Sequence, residues 1–196
     1  MRVQKLNMRC PKFCFINEYF EIPEIEKILF LEKILDFMPG TTSDGSDVKE
    51  NKETRSCSVG HLMLDENSAW IYEKLARLIP QVNYDLFMLN IDGISPIQFV
   101  VYEGETNDHY DWHYDTMPFW SEYERKISGV IFLSNFDEYE GGELHIATNG
   151  NPEKSEILRP NKGDMVLFSS NYVHKLFPVT SGKRKALVFW VEGKRE

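Results

Sequence analysis

No apolar run in these 196 residues approaches membrane-spanning length, and the opening stretch MRVQKLNMRCPKFCFINEYFE has no signal-peptide apolar region. The expectation is a soluble, cytoplasmic protein with no membrane partner. Cations are in the minority: 22 Lys and Arg face 31 Asp and Glu, for a formal net charge of -9. That balance argues against nucleic acid as a partner, because phosphate binding needs clustered Lys and Arg. Cysteine is scarce. Cys10, Cys14 and Cys57 cannot all pair within one chain, and without a secretory signal they read as reduced thiols. Cys10 and Cys14 have no second Cys or His pair nearby to complete a zinc site. A glycine-rich phosphate loop and solenoid repeats are also missing. The chain does have 42% hydrophobic and 13% aromatic residues, enough for one folded domain with a substantial core. Its oligomeric state is not readable from the sequence.

Residues 22–38, IPEIEKILFLEKILDFM, carry Ile25, Ile28, Leu29 and Leu35 at helical spacing, with Pro23 near the start and Pro39-Gly40 as the stop. The polar stretch GTTSDGSDVKENKETRS lacks periodicity and is expected to be a mobile loop, with 41–55 a candidate lid or a plain connection. A second helix is expected from a cap at Asn67-Ser68 through AWIYEKLARLI to Pro80. From Ser95 onward the segments SPIQFVVYE, KISGVIFLSNF, GGELHIA, DMVLFS, VHKLFPV and RKALVFWVE are short, β-branched and aromatic, and turn residues separate them. Strands at this spacing predict a mainly β protein, a sandwich or a jelly-roll barrel rather than alternating βαβ units. Residues 1–94 form a helical support region and loop packed outside, and 95–193 form the core, within a single domain.

The stretch NDHYDWHYD, residues 107–115, contains His-Tyr-Asp twice. His109 and His113 are four apart, as in the zinc-protease helix, but the Glu that follows the first His there is absent and Tyr-Trp-Tyr favours a strand. On a strand, His109, Asp111, His113 and Asp115 share one face and Tyr110, Trp112 and Tyr114 the other, so either triplet could chelate. A two-His, one-carboxylate facial set needs a third ligand, and His174, opening the strand VHKLFPV, can supply it. Ten residues on, Arg184 shares a strand face with Ala186, Val188 and Trp190. A guanidinium on an apolar face is costly to bury without an anion, and a bound dicarboxylate would provide one.

Tyr102, then Tyr110, His113 and Asp115, YEGGEL at 139–144, RPNKGDMVLFSSNYVHKLFPVTSGKR at 159–184, and Trp190 together resemble the 2-oxoglutarate- and iron(II)-dependent dioxygenases. Within them the chain is similar to the prolyl 4-hydroxylase-like group that includes the PKHD-type hydroxylases, over roughly residues 66–193. The resemblance implies a double-stranded β-helix (cupin-like) fold. It selects the second triplet, because Tyr110 is the aromatic three residues before the first ligand. It assigns His113, Asp115 and His174 to iron(II), and Arg184 with the Tyr102 hydroxyl to the far carboxylate of 2-oxoglutarate. Trp190 would wall the site. His109 and Asp111 become outer or surface groups, and His145 a packing residue. Dioxygen would be the second cosubstrate, with ascorbate a possible reductant. The implied reaction decarboxylates 2-oxoglutarate to succinate while hydroxylating a substrate C–H bond, in a prolyl residue of a peptide or protein, or in a small molecule. A cupin-like metal hydrolase or isomerase, or a non-catalytic binding barrel, could use the same His-Asp-His set but leaves Arg184 unexplained.

Overall fold

The computed structural model describes residues 13–43, 48–118 and 120–195. Two antiparallel sheets face each other, as expected for a jelly roll. Among the described residues, the larger sheet orders its strands as Phe13–Ile16, Met165–Ser169, Tyr123–Phe132, Val179–Lys194, Ile97–Glu103, Ser58–Leu62 and Met38–Pro39. Two short strands, Gly93–Ile94 and Tyr139–Gly141, pair with opposite ends of Val179–Lys194. The smaller sheet runs Glu156–Leu158, Leu144–Ala147, Val173–Leu176, His109–His113 and Arg55–Ser56.

Alternation along the strands of the larger sheet builds two cores. Ile97, Phe99 and Val101, with Ile127, Ile131, Leu187, Phe189 and Val191, point away from the smaller sheet. They meet Ile25, Ile28 and Leu31 of the first helix (Ile22–Leu31) and Ile71, Leu75, Ile79 and Val82 of the second (Ala69–Val82). The alternate residues Val100, Tyr102, Val130, Phe132, Val166, Phe168 and Ala186 point inward, against Leu144, Ile146, Leu158 and Leu176 of the smaller sheet. Each fully buried Leu, Ile or Phe contributes about 1.5–3 kcal/mol, so packing rather than local propensity fixes the helices on the back of the sheet.

Both helices differ from expectation at their ends. The first stops at Leu31 and tightens through Glu32–Ile34 instead of reaching Met38, because Leu35 turns extended (φ -87°, ψ 137°) and Met38–Pro39 pair with Val59 and Ser58. The second continues through Pro80 into a wider turn, Asn83–Phe87, closed by Met88 at φ 52°. A proline removes one helical hydrogen bond but does not by itself end an amphipathic face that is already packed. Ser68 stands at the expected N-cap position but its side chain bonds no helical N–H, while Asp65 fixes the turn before it by accepting the backbone N–H groups of Asn67 (2.9 Å) and Ser68 (3.0 Å).

The expected split at residue 95 needs correction as well. The region before it is not only helix and loop, since Phe13–Ile16 and Ser58–Leu62 are strands of the larger sheet and Arg55–Ser56 pairs with the strand carrying His113. Within 41–55, Thr41–Ser43 pairs with Val48–Glu50 as a short hairpin, and residues 44–47 lie outside the described residues. Cys57 is buried, Cys14 is half-buried and both are free thiols; Cys10 lies outside the described residues. No helix among the described residues is long and apolar enough to cross a membrane.

Gly129 sits opposite Phe189 in the larger sheet, and a Cβ there would lie 2.2 Å from the Phe189 ring, which is fully buried and cannot retreat. Gly129→Ala is expected to cost about 1–3 kcal/mol through overpacking. A lowered urea midpoint with an unchanged slope would be the sign; an unchanged midpoint would contradict the packing described.

Candidate active site

The two sheets enclose a cavity of about 280 Å³. Its walls carry His113, Asp115 and His174, with Tyr102, Tyr110, Ser128, Arg184 and Trp190 among the lining residues. His113 and His174 are direct cross-strand partners on His109–His113 and Val173–Leu176. Asp115 follows two residues beyond His113. Its carboxylate lies 3.6 Å from His113 Nε2 and 3.3 Å from His174 Nε2. The donor atoms of the three side chains all fall within 4.8 Å of one another.

Backbone carbonyls orient both imidazoles. His113 Nδ1 lies 2.7 Å from the Asp111 carbonyl and His174 Nδ1 2.9 Å from the Tyr172 carbonyl. A carbonyl oxygen only accepts, so Nδ1 carries the proton and, in the neutral ring, Nε2 offers its lone pair to the cavity. Ser128, on the facing sheet, donates to Asp115 Oδ2 at 2.7 Å and lies 2.9 Å from the Ser170 hydroxyl. Burial would raise the Asp115 pKa, but His174, then His113 and the Ser128 hydrogen bond hold it far below the usual carboxylate range. Burial, then His174, pushes His113 down to about 3. At His174 burial works against the charged form, yet Asp115 outweighs it and raises the pKa. Two lone-pair nitrogens and an ionised carboxylate on one side of a cavity fit an octahedral divalent metal with open positions.

One expectation about this strand fails in an instructive way. Strict alternation would put Tyr110 on the face opposite His113. Instead, the register moves from His113 opposite His174 to Tyr110 opposite Leu176, three residues against two. This bulge inverts the alternation, so Tyr110 joins His113 on the cavity wall and stacks on its ring at 3.4 Å between centroids. His109 and Asp111 lie outside the cluster. His109 sits between the Asn107 and Glu53 carbonyls at 3.0 and 3.1 Å, and Asp111 accepts from Lys175 Nζ at 2.8 Å. His145, at the back of the smaller sheet, contacts Ser155 and Phe177 rather than the cavity.

Arg184 faces the triad from the larger sheet, cross-strand from Tyr102. It is 3% exposed and makes no ion pair among the described residues, and its buried Nε has no hydrogen-bond partner. Gly142, in the left-handed conformation at φ 65°, leaves it room: a Cβ there would lie 3.1 Å from Arg184 Cδ. Burial above all, then the Cys57 thiol, raises the Tyr102 pKa, so its phenol stays protonated as a donor. The turn after Tyr102 is pinned by buried Asp108, which accepts from Glu103 N, Thr106 Oγ1 and Ser56 Oγ. Trp190 also lines the cavity.

Sequence reasoning missed Ser128, Arg55 and Arg125, all on the cavity wall. Ser128 was detectable as a hydroxyl on the inward face of an apolar strand. Arg55 comes from a polar stretch without periodicity, and Arg125 precedes a second bulge, so neither carried a signal.

A jelly roll that gathers two imidazoles, a carboxylate and an unpaired arginine around one cavity defines a class of metal-dependent oxygenases that take a dicarboxylate cosubstrate. The profile of the 2OG-Fe(II) oxygenase superfamily matches residues 97–192. The chain is 30% identical over 180 residues to a PKHD-type hydroxylase of Pseudoalteromonas atlantica, covering 88% of this chain and 73% of that protein. It is 38% identical over 170 residues to one from Prochlorococcus marinus, covering 85% and 73%. This chain belongs to the PKHD-type hydroxylases, within the 2-oxoglutarate- and iron(II)-dependent dioxygenases. Membership implies iron(II), 2-oxoglutarate and dioxygen. In fold it is similar to a prolyl hydroxylase from Trichoplax adhaerens (TM-score 0.74, 22% identity, 92% of this chain and 83% of that one). It is also similar to a prolyl-4-hydroxylase from Pseudomonas putida (TM-score 0.71, 16% identity, 94% of each).

Two outcomes are expected at this site. His109→Ala should retain metal binding and most activity; a metal-free product would reverse the choice of triplet. Ser128→Ala should weaken iron(II) binding about 10- to 100-fold, as loss of a group orienting a ligand does. Calorimetric titration reads it, and unchanged affinity would remove Ser128 from the site.

Proposed function

We propose that this chain hydroxylates a prolyl residue in a peptide or protein, with decarboxylation of 2-oxoglutarate to succinate. The observation that carries the reading is the convergence of His113, Asp115 and His174 opposite a buried arginine without a counter-ion. The fold-similar Trichoplax adhaerens enzyme is in complex with a hypoxia inducible factor peptide fragment, which supports a peptide substrate here.

In this reading His113, Asp115 and His174 hold iron(II), and Arg184 takes the far carboxylate of 2-oxoglutarate through charge-assisted hydrogen bonds that end its unpaired burial. The protonated Tyr102 hydroxyl donates to the same carboxylate. Iron(II), when bound, supplies the activation of dioxygen that is coupled to loss of carbon dioxide from 2-oxoglutarate. The chain's own groups do the rest. The Asp111 and Tyr172 carbonyls keep both Nε2 atoms facing the metal position, and Ser128 holds Asp115. Leu144, Leu176, Phe168, Val130 and Val188 line the cavity with hydrocarbon and limit water, which protects a strong oxidant from side reactions. Trp190 closes the wall beside Arg184.

Incubation with iron(II), 2-oxoglutarate, ascorbate and a proline-containing peptide should release succinate together with an oxygen-atom mass increase in the peptide. Absence of succinate across varied substrates would overturn the reading. Arg184→Ala should raise half-saturation by 2-oxoglutarate at least about tenfold, the scale of a charge-assisted hydrogen bond, with iron(II) affinity retained. Half-saturation equal to the parent's would remove Arg184 from the cosubstrate site.

A further inference from the structure

Among the described residues, the cavity wall carries three guanidiniums, Arg55, Arg125 and Arg184, but only one carboxylate, Asp115. Iron(II) and 2-oxoglutarate bring equal and opposite charge, so loading both leaves this cationic excess in place. Arg55 is spoken for by neutral groups: Nε donates to Cys57 Sγ at 3.2 Å, Nη1 to the Thr41 carbonyl at 3.1 Å and Nη2 to Gln98 Oε1 at 3.2 Å, with its plane over Tyr110. Arg184 is assigned to the cosubstrate. Among the described residues Arg125 has no such partner.

A β-bulge places it. Arg125 pairs with Glu192 and Ile127 with Val191, so the extra residue, Lys126, inverts the alternation and aims Arg125 into the cavity beside Ser128. Its Cζ stands 3.6 Å from the centroid of the Trp190 ring, held flat by cation–π stacking. Its buried Nε has no hydrogen-bond partner, and Asp115 and Glu192 act on it without reaching ion-pair distance. A stacked guanidinium has fixed orientation and an open donor edge, which suits an anion of planar, two-oxygen geometry. A neutral peptide carbonyl would take one N–H but leave the charge unmatched.

We propose that Arg125 is the specificity-determining residue for substrate and binds a carboxylate carried by the substrate beside the prolyl ring that is oxidised. This rests on the hydroxylase reading and deepens it by naming the acidic group: a chain-terminal proline or a proline beside an acidic side chain carries it within a peptide, and free proline carries it outside the peptide reading. The chemistry is unchanged, one C–H bond becoming C–OH while dioxygen's other atom enters succinate.

The test uses four probes: L-proline, Ala-Ala-Pro with a free acid terminus, Ala-Ala-Pro amide, and Ala-Ala-Pro-Asp amide. Each is titrated calorimetrically into protein loaded with manganese(II) and 2-oxoglutarate under nitrogen, and separately assayed for product mass with iron(II) and air. At least one carboxylate-bearing probe should bind, and react in kcat/KM, at least about tenfold better than Ala-Ala-Pro amide, and which one does so identifies the carboxylate's source. Arg125→Gln should abolish that preference through KM while leaving half-saturation by 2-oxoglutarate unchanged, and Arg125→Lys should restore part of it. Equal binding of the amide and all carboxylate probes overturns the inference, as does an Arg125→Gln protein whose defect lies in 2-oxoglutarate. A carboxylate preference in binding without succinate formation sustains the Arg125 assignment and counts against the hydroxylase reading instead.

Discussion

One surplus residue in the strand His109–His113 governs the site. Without the bulge, Tyr110 and His113 would lie on opposite faces of the smaller sheet, and the ring that stacks on His113 would point outward. With it, the strand presents an aromatic and an imidazole to the cavity in succession, and Asp115 lands where Ser128 of the opposite sheet can hold it. The bulge at Lys126 does the same for the facing wall, turning Arg125 inward. Both sheets thus depart from regular pairing at the cavity, where a regular pleat would place too few polar groups on one face.

The charge distribution of the molecule runs in two directions. The chain as a whole is acidic, with net charge -9, while the cavity wall is cationic. Low-dielectric walls of one sign concentrate counter-ions, so a dianionic cosubstrate is drawn to the cavity while the acidic exterior discourages polyanions. Buried guanidiniums without carboxylates destabilise the unloaded fold, and anionic ligands that bind only the folded form offset that cost.

The back of the larger sheet supports this arrangement. Two amphipathic helices cover its outer face with Ile25, Ile28, Ile71, Leu75 and Ile79, so the inner layer rests on a closely packed hydrophobic layer. Strands from the N-terminal half complete both sheets, and Arg55–Ser56 brings a guanidinium to the wall from a segment whose composition reads as plain loop.

Several features followed from the sequence alone. Six β-rich segments after Ser95 are all strands, because β-branched and aromatic alternation is a local signal that survives folding. The shared face of Arg184, Ala186, Val188 and Trp190 was readable for the same reason: those positions lie in an unbroken stretch of strand. Other features were decided only by the tertiary structure. The faces of Tyr110 and Arg125 depend on bulges, and a bulge is a property of a pair of strands rather than of either sequence. The ends of both helices were set by what they pack or pair against: Leu35 yields to a strand, and Pro80 is carried through on a buried face. The meeting of His113 with His174, sixty-one residues later in the chain, required cross-strand registry that no local pattern encodes. Local periodicity fixes which way a side chain points within one element; long-range pairing and packing fix which elements, and therefore which side chains, share a cavity.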